Sequence, residues 1–134
     1  MNILIIDIGT SSIRGILYDK AGHILASAQR KYNLIRNPRG WVEQPVGLWE
    51  KYTAEICRKI KDIADQKNRV VEAIAITAQR SSVIPIDING NPLMNTIMWQ
   101  DTRNSHICSR LEKYNEIIKE KTGAGLNMFF PEAG

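Results

Sequence analysis

Three short β-strand patterns, one after another, occupy the first 31 residues and constrain the fold more than any other feature of the sequence. Apolar and β-branched residues mark strands over 2–7, 13–18 and 23–31, and Gly, Ser and Asp residues mark turns over 9–12 and 19–22. Connections this short join neighbouring strands that run in opposite directions. The sequence therefore predicts an antiparallel three-stranded meander at the start of the chain.

A helix is predicted after the meander. A polar stretch ends at Pro45, which suits the first turn of a helix because an N–H group has no helical partner there. Apolar residues then recur in steps of three and four, the spacing of one helical face. They are Trp49, Tyr52, Ile56, Ile60 and Ile63. This spacing predicts an amphipathic helix with one buried face.

The rest of the chain predicts further strands and a last helix. The run 70–77 is almost continuously apolar, which is typical of a central strand covered on both faces. Strands are also predicted over 82–88, with Pro85 at an edge or bulge and Asn89-Gly90 in a tight turn, and over 96–99. The apolar face of the last helix contains Ile107, Leu111, Tyr114 and Ile118, and the helix ends before Gly123. This order of elements predicts an α/β fold.

Composition limits the class of protein. The 134 residues, 43% hydrophobic and 24% charged, suit one globular domain with a modest core. The net charge of +4 is spread along the chain, so we expect no nucleic-acid partner. The apolar run 3–6 is too short for a signal peptide or a membrane span, so we expect a cytoplasmic protein without a membrane partner. Cys57 and Cys108 lack metal-ligand spacing and are expected to be reduced thiols.

An acidic residue at the end of the first strand leads into a turn rich in hydroxyl groups. Asp7 is followed by the turn residues Gly9, Thr10, Ser11 and Ser12. Such a turn can direct backbone N–H groups and hydroxyls at phosphate oxygens, and Asp7 can hold a hydrated magnesium ion beside them. Arg14 can add positive charge against a transferring phosphoryl group. An ordinary polar hairpin turn explains the same residues equally well.

Two further polar blocks follow predicted strands, where α/β folds tend to display ligand-binding side chains. In the first block, Gln79 and Arg80 offer several donors that suit the hydroxyl groups of a sugar or polyol. In the second, Trp99 can form an apolar wall against the carbon face of a sugar, with Gln100 or Asp101 reaching its hydroxyls. A solvated surface turn and a core tryptophan are the respective alternatives.

Taken together, these blocks resemble the FGGY family of carbohydrate kinases, which includes glycerol kinase and xylulokinase. The matching segments are Asp7-Ile8-Gly9-Thr10-Ser11-Ser12, Gly40-Trp41-Val42-Glu43-Gln44, Ile76-Thr77-Ala78-Gln79-Arg80, Ile97-Met98-Trp99-Gln100-Asp101-Thr102-Arg103 and Thr122-Gly123. They occur in the family's order and at similar spacing along the whole chain. One such block is weak evidence, but the set is specific.

The resemblance implies a ribonuclease-H-like, actin-like ATPase fold of two lobes, with ATP and Mg²⁺ in the cleft between them and the sugar deep in the N-terminal lobe. It implies that the turn 9–12 faces the nucleotide phosphates and that Asp7 lies near the magnesium ion. Positions matching Arg80 and Trp99 line the substrate pocket in the glycerol kinase branch, and Phe129 is similar to an aromatic residue at that pocket.

The sequence departs from the family at the substrate. Glycerol kinase carries an acidic residue directly after the pocket arginine, whereas this chain has Ser81 there, which argues against glycerol. Xylulokinases typically have a Met-His pair at the positions of Arg80 and Ser81, and that pair is absent too. The substrate is therefore left open as a sugar or a polyol.

The resemblance also implies that the chain is part of a larger enzyme. The family's general base and adenine pocket correspond to positions beyond 134, so no catalytic residue is expected within these 134. We expect residues 1–134 to form a partial N-terminal lobe without the C-terminal nucleotide-binding lobe, inactive alone and prone to self-association through its exposed lobe interface. An actin-like ATPase without a sugar site and a non-catalytic binding or regulatory module are the alternatives.

Overall fold

The computed structural model describes residues 1–127. Contacts between Cα atoms divide the chain into two compact units. Unit 1 consists of Met1–Asn33 and Gly47–Gln79, and unit 2 of Leu34–Val46 and Arg80–Gly134, whose described part ends at Asn127. In chain order the strands are β1 (Ile3–Ile8), β2 (Ser12–Tyr18), β3 (Ile24–Lys31), β4 (Ile35–Arg36), β5 (Val42–Gln44), β6 (Ala73–Ala78) and β7 (Thr96–Ile97). The helices are α1 (Gly47–Gln66), α2 (Ser105–Leu111) and α3 (Asn115–Thr122).

The sheet of unit 1 contains the predicted meander. β1 pairs with β2 and β2 with β3, both antiparallel, so the prediction of an antiparallel three-stranded meander is confirmed. β6 pairs with the other side of β1 in parallel, which gives the strand order β3-β2-β1-β6. A parallel neighbour needs a long connection, and α1 lies in the connection that precedes β6.

Helix α1 covers one face of this sheet, as its apolar spacing predicts. Ile56 and Ile60 are 3% and 0% exposed, and the other three residues of the apolar stripe pack against the same core. The helix approaches β2 closely at Gly15, where a Cβ atom would lie 2.5 Å from Ile56 Cγ2. The residues that the sheet contributes to this core are Leu4, Ile6, Ile13, Leu17, Ala26 and Ala28.

The prediction of a central strand over 70–77, covered on both faces, is wrong for the part of the chain that the structure describes. β6 is an edge strand, and all six of its residues are exposed. Ile74 and Ile76 lie beside Leu4 and Ile6 in the parallel register, so they are on the same face of the sheet as the residues that α1 covers. The helix does not cover Ile74 and Ile76 themselves, which are exposed. Their apolar character therefore marks a surface that no described residue covers.

Unit 2 is built from very short strands. β4, β5 and β7 form an antiparallel sheet in the order β4-β5-β7. The predicted strand over 82–88 is wrong, because the described residues form only isolated bridges there. Pro85 has no N–H group to donate to a ladder, which explains the irregular backbone. The predicted strand over 96–99 is shortened because the chain turns at Met98–Asp101.

The predicted last helix is divided in two. A 3₁₀ turn over Glu112–Tyr114 separates α2 from α3. As predicted, the helix ends before Gly123, which adopts a left-handed conformation with φ 76°. Its predicted apolar face is largely open in the described chain, since Ile107 and Tyr114 are 37% and 44% exposed.

The same five-residue turn occurs three times among residues 1–127. It spans Asp19–His23, Asn37–Trp41 and Asp87–Asn91, and in each the first side chain accepts hydrogen bonds from the N–H groups of the third and fifth residues. The fourth residue is a glycine with φ between 82° and 86°. The turn predicted at Asn89-Gly90 is thus confirmed, with Gly90 in the left-handed region.

Candidate functional site

Three carbonyl oxygens of the turn between β1 and β2 accept hydrogen bonds from other described residues. The Gly9 N–H donates to the Ser12 carbonyl oxygen over 2.9 Å. Tyr32, just after β3, donates its hydroxyl to the Gly9 carbonyl oxygen and its N–H to the Ser11 carbonyl oxygen, the latter over 3.0 Å. The Ser11 N–H, in contrast, donates to no described residue. The Ser11 N–H is therefore available to a ligand, whereas the Gly9, Ser11 and Ser12 carbonyl oxygens are occupied.

The side chains of the turn contact both neighbouring elements. Thr10 Oγ1 donates to Gln79 Oε1 over 3.0 Å, and Gln29 Nε2 donates to Ser12 Oγ over 2.9 Å. Gln79 follows β6, and its N–H donates to the Ile8 carbonyl oxygen over 2.9 Å. The buried Gln79 Nε2 has no partner among the described residues. The structure thus brings Gln79, predicted to bind substrate, to the predicted phosphate turn.

Asp7 and Arg14 lie side by side on the open face of the same sheet. Asp7 pairs in register with Arg14 on β2 and with Thr77 on β6. Side chains directly opposite one another on paired strands share a face, and this face is opposite the one that α1 covers. Both Asp7 and Arg14 are exposed, and they form no ion pair within the described residues. Their charged groups are available to a ligand.

The polar block of Gln79 and Arg80 is divided at the unit boundary, with Gln79 in unit 1 and Arg80 in unit 2. Arg80 is exposed, and it makes no ion pair with a described residue. Ser81 has a φ of 67°, a conformation that a residue with a Cβ adopts rarely and that strains the backbone. The Ser82 hydroxyl accepts a hydrogen bond from the Trp99 N–H over 3.2 Å. Ser82, which we did not predict as a site residue, therefore contacts the block that contains Trp99.

Trp99 and Gln100 occupy the two central positions of a tight turn. The turn is closed by the Asp101 N–H, which donates to the Met98 carbonyl oxygen over 2.8 Å. Met98 is fully buried and its N–H donates to the Val42 carbonyl oxygen over 2.9 Å, so the first residue of the turn is fixed to β5. The backbone at Trp99 is thus held from both sides.

Asp101 is buried and its two carboxylate oxygens are engaged within unit 2. Oδ2 accepts the Val42 N–H over 2.7 Å, and both oxygens accept hydrogen bonds from the Arg103 guanidinium over 2.8 Å. Arg103 also donates to Glu43 over 2.7 Å and lies over the Trp41 ring, 4.5 Å from its centroid. With 1% of Asp101 exposed, these contacts point to a structural role rather than the predicted contact with substrate.

The charges of this cluster shift the pKa values of its members. Burial acts to raise the pKa of Asp101, but hydrogen bonds from Arg103 and the Val42 N–H outweigh it, and the pKa lies below its ordinary value. Hydrogen bonds from Arg103 and Asn95 lower the pKa of Glu43. Both carboxylates are therefore ionised at neutral pH, and they raise the pKa of the Arg103 guanidinium.

The remaining predictions concern metals, thiols and membranes. Phe129, predicted at the substrate pocket, lies outside the described residues. Within residues 1–127, no three acidic, His or Cys side chains gather into a metal cluster, and Cys57 and Cys108 are free thiols. No helix in this range has the length and apolar character that crossing a membrane requires. The cytoplasmic location stays a prediction.

Sequence reasoning missed Tyr32, Ser82 and Arg103. Arg103 belongs to one of the matching segments, and its spacing of two from Asp101 was the available signal. Tyr32 and Ser82 act through contacts that join separate parts of the chain, so no local pattern marks them.

Comparisons with known proteins agree with this geometry. A profile of the FGGY family of carbohydrate kinases, N-terminal domain, matches residues 2–133. The glycerol kinase of Aquifex aeolicus is 38% identical over 130 residues, which cover 96% of this chain and 26% of that protein. The chain thus spans about a quarter of the length of the curated relatives it matches.

Solved structures share the fold. The xylulose kinase from Rhodospirillum rubrum has a TM-score of 0.90 at 24% identity, over 99% of this chain and 28% of that one. The Plasmodium falciparum glycerol kinase with ADP has a TM-score of 0.79 at 29% identity, over 96% of this chain and 26% of that one. The predicted α/β, actin-like ATPase fold is confirmed. The chain belongs to the FGGY family of carbohydrate kinases, and it matches the N-terminal domain of that family.

Proposed function

We propose that this chain supplies the phosphate-facing turn and part of the substrate pocket of an enzyme that transfers the γ-phosphoryl group of ATP to a hydroxyl of a sugar or polyol. The observation that carries the proposal is the turn 9–12, whose Gly9, Ser11 and Ser12 carbonyl oxygens are occupied while Asp7 and Arg14 are exposed beside it. Family membership supports the same reaction class. Residues 1–134 then belong to the N-terminal lobe of the enzyme.

The phosphate side fits a magnesium–nucleotide complex. Magnesium ions in kinases use one or two carboxylates together with substrate phosphates and water, so the single carboxylate of Asp7 suits such a site. Bound Mg²⁺ neutralises charge that develops on the phosphoryl group. Arg14 adds a positive charge on the same sheet face, and Ser11 offers its backbone N–H. The residues present therefore suit ATP with Mg²⁺ as its ion.

The substrate side rests on Arg80 and Trp99. The guanidinium of Arg80 presents several donors in a rigid fork, which suits adjacent hydroxyls, and an indole ring can cover the carbon skeleton. We assign supporting roles to Gln79 and Asp101, because Gln79 contacts Thr10 and the Asp101 carboxylate already accepts hydrogen bonds within the chain. Phe129 keeps its proposed place at the pocket from the family resemblance alone.

The substrate is proposed as a carbohydrate longer than glycerol. Several relatives are named glycerol kinase and several structural neighbours are named xylulose kinase. Ser81 follows Arg80 where glycerol kinases carry an acidic residue, and a short neutral side chain leaves more room and fewer acceptors. A longer sugar or sugar alcohol suits that space better than glycerol does.

A chimera tests the proposal. In it, this chain replaces the matched 130 residues of the Aquifex aeolicus glycerol kinase, and ATP-dependent phosphorylation is measured with glycerol, ketopentoses and sugar alcohols. Asp7→Ala is expected to reduce turnover by about 100-fold or more, because the carboxylate organises the magnesium ion. Asp62→Ala, which removes an exposed carboxylate from α1, is the matched control and should leave turnover unchanged.

The same chimera separates the two sides of the site. Arg80→Ala and Trp99→Ala should raise the KM for sugar by about tenfold or more and leave the KM for ATP unchanged. Arg80→Ala leaves substrate hydroxyls without partners worth about 1–3 kcal/mol each, and Trp99→Ala removes the apolar cover of the carbon skeleton. An unchanged KM for sugar in both variants would contradict the assignment of Arg80 and Trp99 to the substrate pocket. A folded chimera without activity, beside an active parent enzyme, would contradict the proposed function, and a preference for glycerol would contradict the inference from Ser81.

A further inference from the structure

The backbone of the phosphate turn has a polarity that depends on one side chain. An anion is attracted by N–H groups and repelled by carbonyl oxygens, so a phosphate-binding turn must keep its carbonyls away from the ligand. In this turn the Ser12 carbonyl is occupied by the Gly9 N–H. The Gly9 and Ser11 carbonyls are both occupied by Tyr32, through its hydroxyl and its N–H.

Tyr32 is itself firmly held. It is 8% exposed and belongs to the core of unit 1. Its ring stacks on that of Tyr52 from α1, with centroids 6.2 Å apart and an angle of 28° between the rings. Arg30 lies over the other ring of this pair, 5.2 Å from the Tyr52 centroid, and bonds to Glu55 over 3.1 Å. The hydroxyl of Tyr32 is therefore presented to Gly9 by a rigid support.

We propose that Tyr32 is a positioning residue for the phosphate turn. Its hydrogen bonds to the Gly9 and Ser11 carbonyls hold the two peptide groups on either side of the one that carries the Ser11 N–H, and that N–H is left for a phosphate oxygen. This role rests on the proposed function of the turn. It differs from the roles of Asp7 and Arg14, because Tyr32 acts on the backbone and touches no nucleotide atom.

The test compares two tyrosine-to-phenylalanine variants of the isolated chain. Tyr32→Phe removes the hydroxyl that bonds to Gly9 and keeps the ring stack. Tyr52→Phe removes the hydroxyl of the other ring, which makes no hydrogen bond to a described residue, and is the matched control. Binding of inorganic pyrophosphate with Mg²⁺ is followed by NMR shifts of the backbone amides of residues 9–12.

Wild type and Tyr52→Phe are expected to bind pyrophosphate with the same affinity, within a factor of two. Tyr32→Phe is expected to bind about tenfold more weakly, the size expected when one carbonyl dipole is freed towards an anion. Its amide shifts without ligand should change at residues 9–12 and remain unchanged in α1. This local pattern separates a positioning role from general loss of stability, which would move resonances throughout unit 1.

Each result bears on the proposal. If wild type binds pyrophosphate at residues 9–12 and Tyr32→Phe binds equally well, the positioning role is wrong and the proposed function stands. If wild type shows no shift at these residues even at high pyrophosphate concentration, the phosphate assignment itself fails and the positioning role fails with it. Equal weakening in Tyr32→Phe and Tyr52→Phe would assign the effect to the aromatic pair rather than to the bond with Gly9.

Discussion

Gly40 contacts Thr102, and a substitution at Gly40 measures how much this contact contributes to the free energy of unfolding. It is the glycine of the turn Asn37–Trp41, and its φ of 82° disfavours any side chain. A Cβ atom at this position would also overlap Thr102 Oγ1. The Thr102 N–H and hydroxyl both donate to the Gly40 carbonyl oxygen over 3.2 Å. Gly40→Ala therefore combines backbone strain with a steric clash.

Gly90 provides the matched control, because it occupies the same position of the same turn. Its φ is 83°, but a Cβ atom there would meet nothing within 4 Å. Gly90→Ala should therefore cost only the backbone strain, about 1–2 kcal/mol. Gly40→Ala should cost this amount and about 1–3 kcal/mol more, since Thr102 must move and its bonds to Gly40 are lost.

The two variants are compared by urea denaturation followed by circular dichroism and by tryptophan fluorescence. The difference between them is expected at about 1–3 kcal/mol, or roughly 3–12 °C in Tm for a domain of this size. Thr102→Ala should rescue part of the loss, because the Thr102 Cβ lies 3.6 Å from the added Cβ, an ordinary contact. In that background the cost of Gly40→Ala should fall to that of Gly90→Ala. Equal costs for Gly40→Ala and Gly90→Ala in the wild-type background would refute the reasoning.

Two further predictions concern charge and the open strand. Asp101 and Glu43 have lowered pKa values in the folded chain. Their contribution to the free energy of unfolding is therefore fully present above their ordinary pKa values of 3.8 and 4.5, and it is lost as the pH falls through the lower folded values. Urea denaturation between pH 7 and pH 2 should show this loss, and Arg103→Met should flatten it; an equal pH dependence in both would contradict the ion cluster. Sedimentation should show that the isolated chain self-associates, and that Ile76→Lys on the exposed edge strand reduces this association. The control Ile88→Lys should leave the association unchanged. A monomeric wild type would contradict the prediction of self-association.

Local patterns predicted unit 1 well because its elements are long enough to show a period. The three strands of the meander and the apolar stripe of α1 have repeated residues on one face, and tertiary packing agrees with them. Unit 2 was predicted poorly, because β4, β5 and β7 have only two or three residues each. A strand that short has no measurable alternation, and its existence depends on partners elsewhere in the chain.

The error at β6 has a different physical source. Its sequence has the apolar, β-branched composition of a buried parallel strand, and the parallel pairing with β1 is present. Composition predicts how much burial a strand needs, but it does not say which residues provide the cover. Ile74 and Ile76 therefore keep the composition of a central strand while they lie at the edge of the described sheet.

The site blocks show why a motif identifies a family more readily than it assigns roles within the motif. Trp99, Gln100 and Asp101 are consecutive, yet the carboxylate turns inward to Arg103 and the Val42 N–H while Trp99 stays partly exposed at the corner of the turn. A carboxylate that receives a guanidinium and backbone donors has no remaining need for a substrate hydroxyl, and its burial excludes one. An aspartate at this position of the motif could have either a structural role or a substrate-binding role. Only the direction of its side chain distinguishes the two. Asp101 then fixes the turn, and the fixed turn sets the position of the Trp99 side chain, which we propose as the apolar wall of the sugar pocket.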